Sequence, residues 1–187
     1  LFRSLQLDLG GDFRPRGEWL AQDDLAIQAA GRVSLDRLFY YGRSARIQAN
    51  AIDVAPSAFV NFPGYLELVA TGPEGLHNEG DIQAMILSIH APWVSNLGSL
   101  AGYRFSVETD KLFNAGFLGS LDLSIQAGQL DNTGVIEGGR IGIRTANLYN
   151  YRNGRIFGDT VAIAADQIDN IGGGEGAPEI SARQSLK

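Results

Sequence analysis

The sequence predicts an all-β chain wound into a parallel β-helix, a solenoid of about eight to nine rungs with 18–21 residues in each. Three observations predict it. An asparagine returns at a nearly constant interval, a glycine follows it on the same beat, and alternating apolar residues fill the space between. Nothing in the repeated region keeps a 3.6-residue period long enough for a helix.

The asparagines are Asn78, Asn96, Asn114, Asn132, Asn150 and Asn170, with spacings of 18, 18, 18, 18 and 20. Two residues before each stands an apolar residue: Leu76, Val94, Leu112, Leu130, Leu148 and Ile168. The glycines are Gly80, Gly98, Gly116, Gly134, Gly154 and Gly172, and the first five are followed by Ile82, Leu100, Leu118, Ile136 and Ile156. The Asn150 unit carries a two-residue insertion, Tyr151-Arg152, before its glycine.

A second element of each unit alternates with period 2, the mark of a strand with one buried face. It reads Leu87-Ile89-Ala91, Phe105-Val107-Thr109, Leu123-Ile125-Ala127, Ile141-Ile143-Thr145 and Val161-Ile163-Ala165. Upstream, the same element reads Leu25-Ile27-Ala29, Ala45-Ile47-Ala49 and Leu66-Leu68-Ala70. The middle residues of these eight copies are 18–21 apart, which counts eight turns. Leu5-x-Leu7 and Ile180-x-Ala182 are read as fraying copies at either end.

Such a unit is too short for a propeller blade or for a strand–helix pair that closes on itself. In a β-helix each unit is one rung, equivalent strands stack about 4.8 Å apart, and eight rungs make a rod about 38 Å long. Apolar residues then form columns in a narrow core. The asparagines are expected to hydrogen-bond the corner backbone and one another as a ladder. The glycines are expected to supply a positive φ at the corner, and the Ala/Thr column marks a tight inner corner. The outward residues agree with this register: Arg104, Asp122 and Arg140 share one column, so opposite charges meet on successive rungs. His90, Glu108, Gln126 and Arg144 share a second, and Ser88, Ser106, Ser124, Gly142 and Ala162 a third of small residues.

The chain divides into irregular rungs with longer loops over 1–75, regular repeats over 76–172 and a flexible or fraying end over 173–187. All belong to a single β-helix segment, 1–187, read as a piece of a longer chain. Loops that protrude from a repetitive frame carry function more often than the frame. The candidate binding residues are therefore aromatics at loops and corners. Phe39, Tyr40, Tyr41, Phe59, Phe62 and Tyr65 lie in the irregular part, where the alternative is that they cap or widen the core, and Trp93, Tyr103, Tyr149 and Tyr151 lie at or near corners.

Composition narrows the function. Lys and Arg number 15 against 21 Asp and Glu, a formal charge of −6 with no basic cluster, which argues against a nucleic-acid partner. The chain has no cysteine, hence no disulfide or thiolate site, and no run of about 18 apolar residues for a membrane span. His77 and His90 lie at different points of the rung without companion ligands, so neither a metal nor any other cofactor is expected. Gly10-Gly11-Asp12-Phe13 reads as a turn, and the 172–176 run, rich in glycine, as a boundary without the Asp of calcium-binding repeats. The glycines at 138 and 139 do not form a nucleotide-binding loop. Asp131 and Asp169 share an outward position two rungs apart, about 9.6 Å at backbone level, with Tyr149 between. Inverting glycosidases place their carboxyls roughly 6.5–9.5 Å apart. A polysaccharide lyase or glycosidase is thus the enzymatic alternative to a non-catalytic stalk or binder, and rests on fold-level analogy.

The Leu130-Asp131-Asn132-Thr133-Gly134-Val135-Ile136 unit and its relatives at 76, 94, 112, 148 and 168 resemble the filamentous haemagglutinin-type repeats of bacterial two-partner-secreted exoproteins. That family includes adhesins and the filament proteins of contact-dependent growth inhibition. The likeness covers about half the chain closely and 25–75 more loosely. It implies a right-handed β-helix, export through an outer-membrane transporter, and a place on the bacterial cell surface. The chain would there be a stalk or adhesive segment, its partners a protein or glycan receptor on a target cell and the adjoining repeats of its own chain. No Asn-Pro-Asn-Leu secretion signature and no basic, His-bearing toxin-like domain is seen, so the chain reads as an internal segment.

Overall fold

The computed structural model describes residues 2–15, 21–36, 42–172 and 177–187. They form a β-solenoid of about eight turns in which each rung pairs in parallel with the next. The strands are β1 (Phe2–Leu9), β2 (Ala21–Ala29), β3 (Arg32–Leu35), β4 (Ser44–Val54), β5 (Phe59–Asn78) and β6 (Asp81–Asn96). They continue as β7 (Ser99–Asn114), β8 (Phe117–Asn132), β9 (Val135–Tyr151), β10 (Arg155–Ile171) and β11 (Glu179–Leu186). Among the described residues there is no helix. Each of β6 to β10 runs round nearly a whole rung.

The register follows the sequence columns. Leu87, Phe105, Leu123, Ile141 and Val161 pair in succession, as do Ile89, Val107, Ile125, Ile143 and Ile163. The columns extend upstream through Leu66, Ala45 and Leu25 to Leu5, and through Leu68, Ile47 and Ile27 to Leu7. Nearly all of these residues are buried, and together with the columns ending in Leu148 and Ile156 they make one continuous core. At the tight corner, Thr109 and Thr145 are buried and their hydroxyls donate to the carbonyls of Pro92 and Lys111, and of Gly128 and Asn147. The small column of Ser88, Ser106, Ser124, Gly142 and Ala162 is also as read.

The asparagine ladder is present. Asn78 Nδ2 donates to Asn96 Oδ1 at 2.8 Å, and Asn96, Asn114 and Asn132 each donate to the next at the same distance. Asn150 donates to Asn170 at 2.7 Å. The first five are fully buried, whereas Asn170 is exposed on the last rung. Each amide also reaches a backbone carbonyl, such as Gly134 O at its own corner for Asn132 and Phe117 O on the next rung for Asn96.

Three expectations are corrected. The repeat glycines do not supply positive φ; among the described glycines only Gly75 does, at 66°. Their reason is close approach. A Cβ on Gly98, Gly116 or Gly134 would stand 2.1, 2.0 or 2.2 Å from the carbonyl oxygen of the glycine one rung earlier. Ile180 and Ala182 are not a frayed copy of the Ile163 element: they stack on Ile156 and Gly158, and Leu186 reaches Val161. Residues 179–186, read as part of a fraying end, are thus the first strand of a further rung. Phe62 is 1% exposed and belongs to the core, in a column otherwise held by Ala84, Gly102, Ser120, Gly138 and Gly158.

Outside the core, Arg140 makes a bidentate pair with Asp122 at 2.5 and 2.8 Å, and this hydrogen-bonded guanidinium holds the Asp122 carboxyl below its ordinary value. His90 approaches Glu108 at 3.3 Å in the neighbouring column.

Two outcomes check this frame. Gly134→Ala should destabilise by about 1–3 kcal/mol, because its methyl group meets backbone rather than a yielding side chain. Gly142→Ser, whose Cβ meets nothing closer than 3.9 Å, should stay within about 0.5 kcal/mol of the parent in chemical denaturation. Equal losses in the two variants would contradict the stacking distances. Asn114→Leu cuts the ladder in its middle and should cost about 1–3 kcal/mol for each buried amide group left unpaired. Asn170→Leu should cost far less, since Asn150 keeps the carbonyls of Gly154 and Glu179.

Candidate functional site

The frame departs from its 18-residue rhythm at two corners of the upstream half. Between Val54 and Val60 the chain takes two more residues than between Asn78 and Ile82, and the excess forms a turn closed by Ala58 N donating to Ala55 O at 2.8 Å. Between Ala70 and Leu76 it takes three more than between Ala91 and Val94, and the pairing of β5 with β6 shifts between Val69 and Leu76. Gly75 makes this second corner possible. Its φ is 66°, and a Cβ would lie 1.9 Å from Trp93 O, so no side chain could bring Glu74 so close to the following rung.

Between the two corners runs a strand face whose outward column is Ser34, Asp53, His77 and Ser95 on four successive rungs. These residues floor a groove of about 640 Å³. One wall carries Arg32, Glu74 and Trp93; the other carries Arg14, Asp36, Pro56 and Glu79. Three rung intervals make it about 14 Å long.

The groove is held together by arginine–carboxylate pairs from rung to rung and by a histidine–glutamate contact within one rung. Arg32 bridges Asp53 and Glu74, one carboxylate on each of its terminal nitrogens. Arg14 Nε donates to Asp36 Oδ2 at 2.7 Å, and His77 Nε2 stands 3.5 Å from Glu79 Oε1. Two guanidinium groups against four carboxylates leave the groove acidic. Trp93 is 45% exposed at its edge.

The same face continues down the rod. Below Ser95 the outward column reads Phe113, Asp131, Tyr149 and Asp169, and below Trp93 the adjacent column reads Lys111, Gln129, Asn147 and Gln167. Asp131 accepts two hydrogen bonds from Gln129 at 2.9 Å and lies 3.4 Å from Lys111; Asp169 accepts one from Gln167 at 2.7 Å. The two aspartates do share a column with Tyr149 between them, but each carboxylate is already occupied by the amide of its own strand. Among the described residues no group of three His, Asp or Glu could hold a metal ion.

The aromatic candidates do not converge. Phe39, Tyr40 and Tyr41 lie outside the described residues. Phe62 is core. Phe59, 37% exposed, belongs to the outward column of Asp81, Ser99, Phe117 and Val135 on a different strand of the rung. Tyr65, half-buried, opens the second strand beside Ile86. Tyr103 is exposed, and Tyr151 is half-buried at the corner where Arg152 takes a φ of 59°. Of the described candidates only Trp93 joins the groove, with Tyr149 three rungs below on the same face. The sequence reading missed Arg14, Arg32, Asp36, Asp53, Glu74 and Glu79, although Arg32 precedes Asp53 by 21 residues and Glu74 by 42, one and two rungs.

Comparison with protein-family models, with curated proteins and with solved structures finds no match for this chain.

The Gly75 corner is testable on its own. Gly75→Ala forces a left-handed residue against the Trp93 backbone and should cost about 1–3 kcal/mol. The loss should come with an altered near-ultraviolet circular dichroism signal as the Trp93 surroundings shift. A variant indistinguishable from the parent in both measurements would mean that the corner is not built as described.

Proposed function

We propose that the chain is a non-catalytic segment of a secreted filament at the bacterial cell surface, serving as stalk through its regular rungs and as a receptor-contacting region through its irregular ones. The observation that carries this reading is the contrast between the two halves. From β6 to β9 the rungs repeat one frame, with one outward column of small residues, Ser88 to Gly142, and one of alternating opposite charges, Arg104 to Arg140. Such a surface offers a partner little to tell one rung from the next. The groove breaks that repeat, because two lengthened corners and a tryptophan meet there. Specific recognition needs a locally distinct, preorganised surface of that kind. The repeat resemblance to two-partner-secreted exoproteins supports export and a surface location, and the absence of cysteine suits a chain that crosses a membrane unfolded. In the non-catalytic reading, Asp131 and Asp169 serve the surface: the glutamine amides on both leave no pair of free carboxyls facing across an open space.

The test is adhesion. The whole chain, displayed on a non-adherent bacterium, should confer attachment to target cells. Replacing residues 71–75 by the two-residue corner of the next rung, Pro-Trp, should abolish most of it while circular dichroism still reports an intact β-solenoid. Attachment equal to that of the parent would leave the stalk without the contact region.

A further inference from the structure

The groove has a definite chemistry, and we infer from it the ligand: a neutral, hydroxyl-rich oligosaccharide lying along the rod axis. The inference rests on the reading of the irregular rungs as a contact region and names what they contact.

Charge comes first. With two guanidinium groups facing four carboxylates, an anionic chain such as a sulfated glycan or a nucleic acid meets net repulsion. A cationic peptide is poorly served too, because three of the four carboxylates, all but Glu79, have a guanidinium of their own. Asp36 is engaged by Arg14, and Asp53 and Glu74 by Arg32. A peptide would also need backbone partners, yet the strands at Asp53, His77 and Ser95 are already paired to the rungs on either side, and at Ser34 the Phe13 backbone takes the outer edge.

A sugar needs something else. Its hydroxyls both donate and accept, and they require fixed acceptors and donors side by side. A carboxylate held by one arginine nitrogen keeps most of its lone pairs, and a guanidinium holding two carboxylates still has N–H groups to donate. Asp53, Glu74 and Arg32 form such a mixed set, immobilised by their mutual pairing before any ligand arrives. Ser34 and Ser95 add hydroxyls at either end of the floor, and His77 an imidazole at its centre. The aliphatic face of a sugar ring needs a flat apolar platform, and Trp93 supplies one at the rim, half in solvent. A groove about 14 Å long and open along the axis suits several linked rings better than one.

The experiment is isothermal titration of the whole chain with cellohexaose, mannohexaose and chitohexaose, against heparin and hexalysine as charged probes. At least one neutral hexasaccharide should bind with a Kd in the micromolar to millimolar range. Trp93→Ala should weaken it at least tenfold, and Asp53→Asn likewise. Leu121→Ala, exposed outside the groove, should change nothing. Should Asp53→Asn fail to fold, Trp93→Ala, whose side chain is nearly half in solvent, decides the matter. Binding of no neutral sugar, tighter binding of heparin or hexalysine, or sugar binding indifferent to Trp93→Ala would each overturn the inference. Adhesion separates it from the broader reading. Attachment that survives periodate oxidation of target-cell sugars but not protease treatment would remove the sugar ligand and leave the contact region standing.

Discussion

Every residue in a parallel solenoid must tolerate its counterpart about 4.8 Å away on the next rung. That constraint sorts the whole sequence. Apolar residues satisfy it by stacking like on like, as in the column from Leu25 to Val161. Charged residues satisfy it only by alternating, and Asp122 beneath Arg104 and above Arg140 does so. Asparagine is suited to a buried column because its amide carries a donor and an acceptor on one end, so each copy can give to the next and take from the one before. Glycine suits the corner because the stacked backbones leave no room for a Cβ. The ladder also has a direction. Its acceptor end, Asn78 Oδ1, is buried without a partner, since the preceding rung places Val54 in that register. Such a group carries a desolvation cost of about 1–3 kcal/mol, and a run of asparagines has only one such end however long it grows.

The regular half was legible in the sequence because this constraint acts on every residue at one interval, so that register could be read from Asn, Gly and apolar positions independently. What was misread has a common physical origin. Periodicity shows that a glycine recurs but not why, and a tight corner can demand either a left-handed backbone or the absence of a side chain. Only the stacking distance distinguishes them. Ile180 was placed in the wrong column because a Φ-x-Ala dipeptide spacing occurs in two strands of the rung, and the 172–176 run before it destroys the count. Phe62 was taken for a loop aromatic because it lies where the rungs lengthen; its column holds small residues on every later rung, and at its own rung the ring is buried.

The groove was not legible for a different reason. Its residues come from five rungs, and no two neighbours in sequence announce it. One trace was available: Arg32, Asp53 and Glu74 are opposite charges at one and two rung lengths, the relation already used for Arg104, Asp122 and Arg140. The search for function in aromatics passed over it. Aromatic residues were a sound guide to anchors in general, but in a narrow solenoid a large ring can be accommodated inside wherever the rung widens, so the polar pairs held the better information.

The position of the groove follows from where the frame can yield. The asparagine corner is tied on three sides, to the rung before, the rung after and its own turn, so lengthening it has a cost. Where that happens, after Asn150, the amide still reaches Gly154 O, and the extra length is absorbed by Arg152 in a left-handed conformation. Above the ladder there is no such tie. Val54 and Leu35 occupy the asparagine register, and the corner after Val54 is longer without any residue at positive φ. The corner at 71–75 lies on the other side of the same strand, where glycine is free to turn back against the Trp93 backbone. A distinctive surface thus arises at the boundary between an apolar corner that can be extended and an amide ladder that cannot. The regular rungs beyond that boundary keep the floor of the groove, Asp53 through Ser95, in a fixed line.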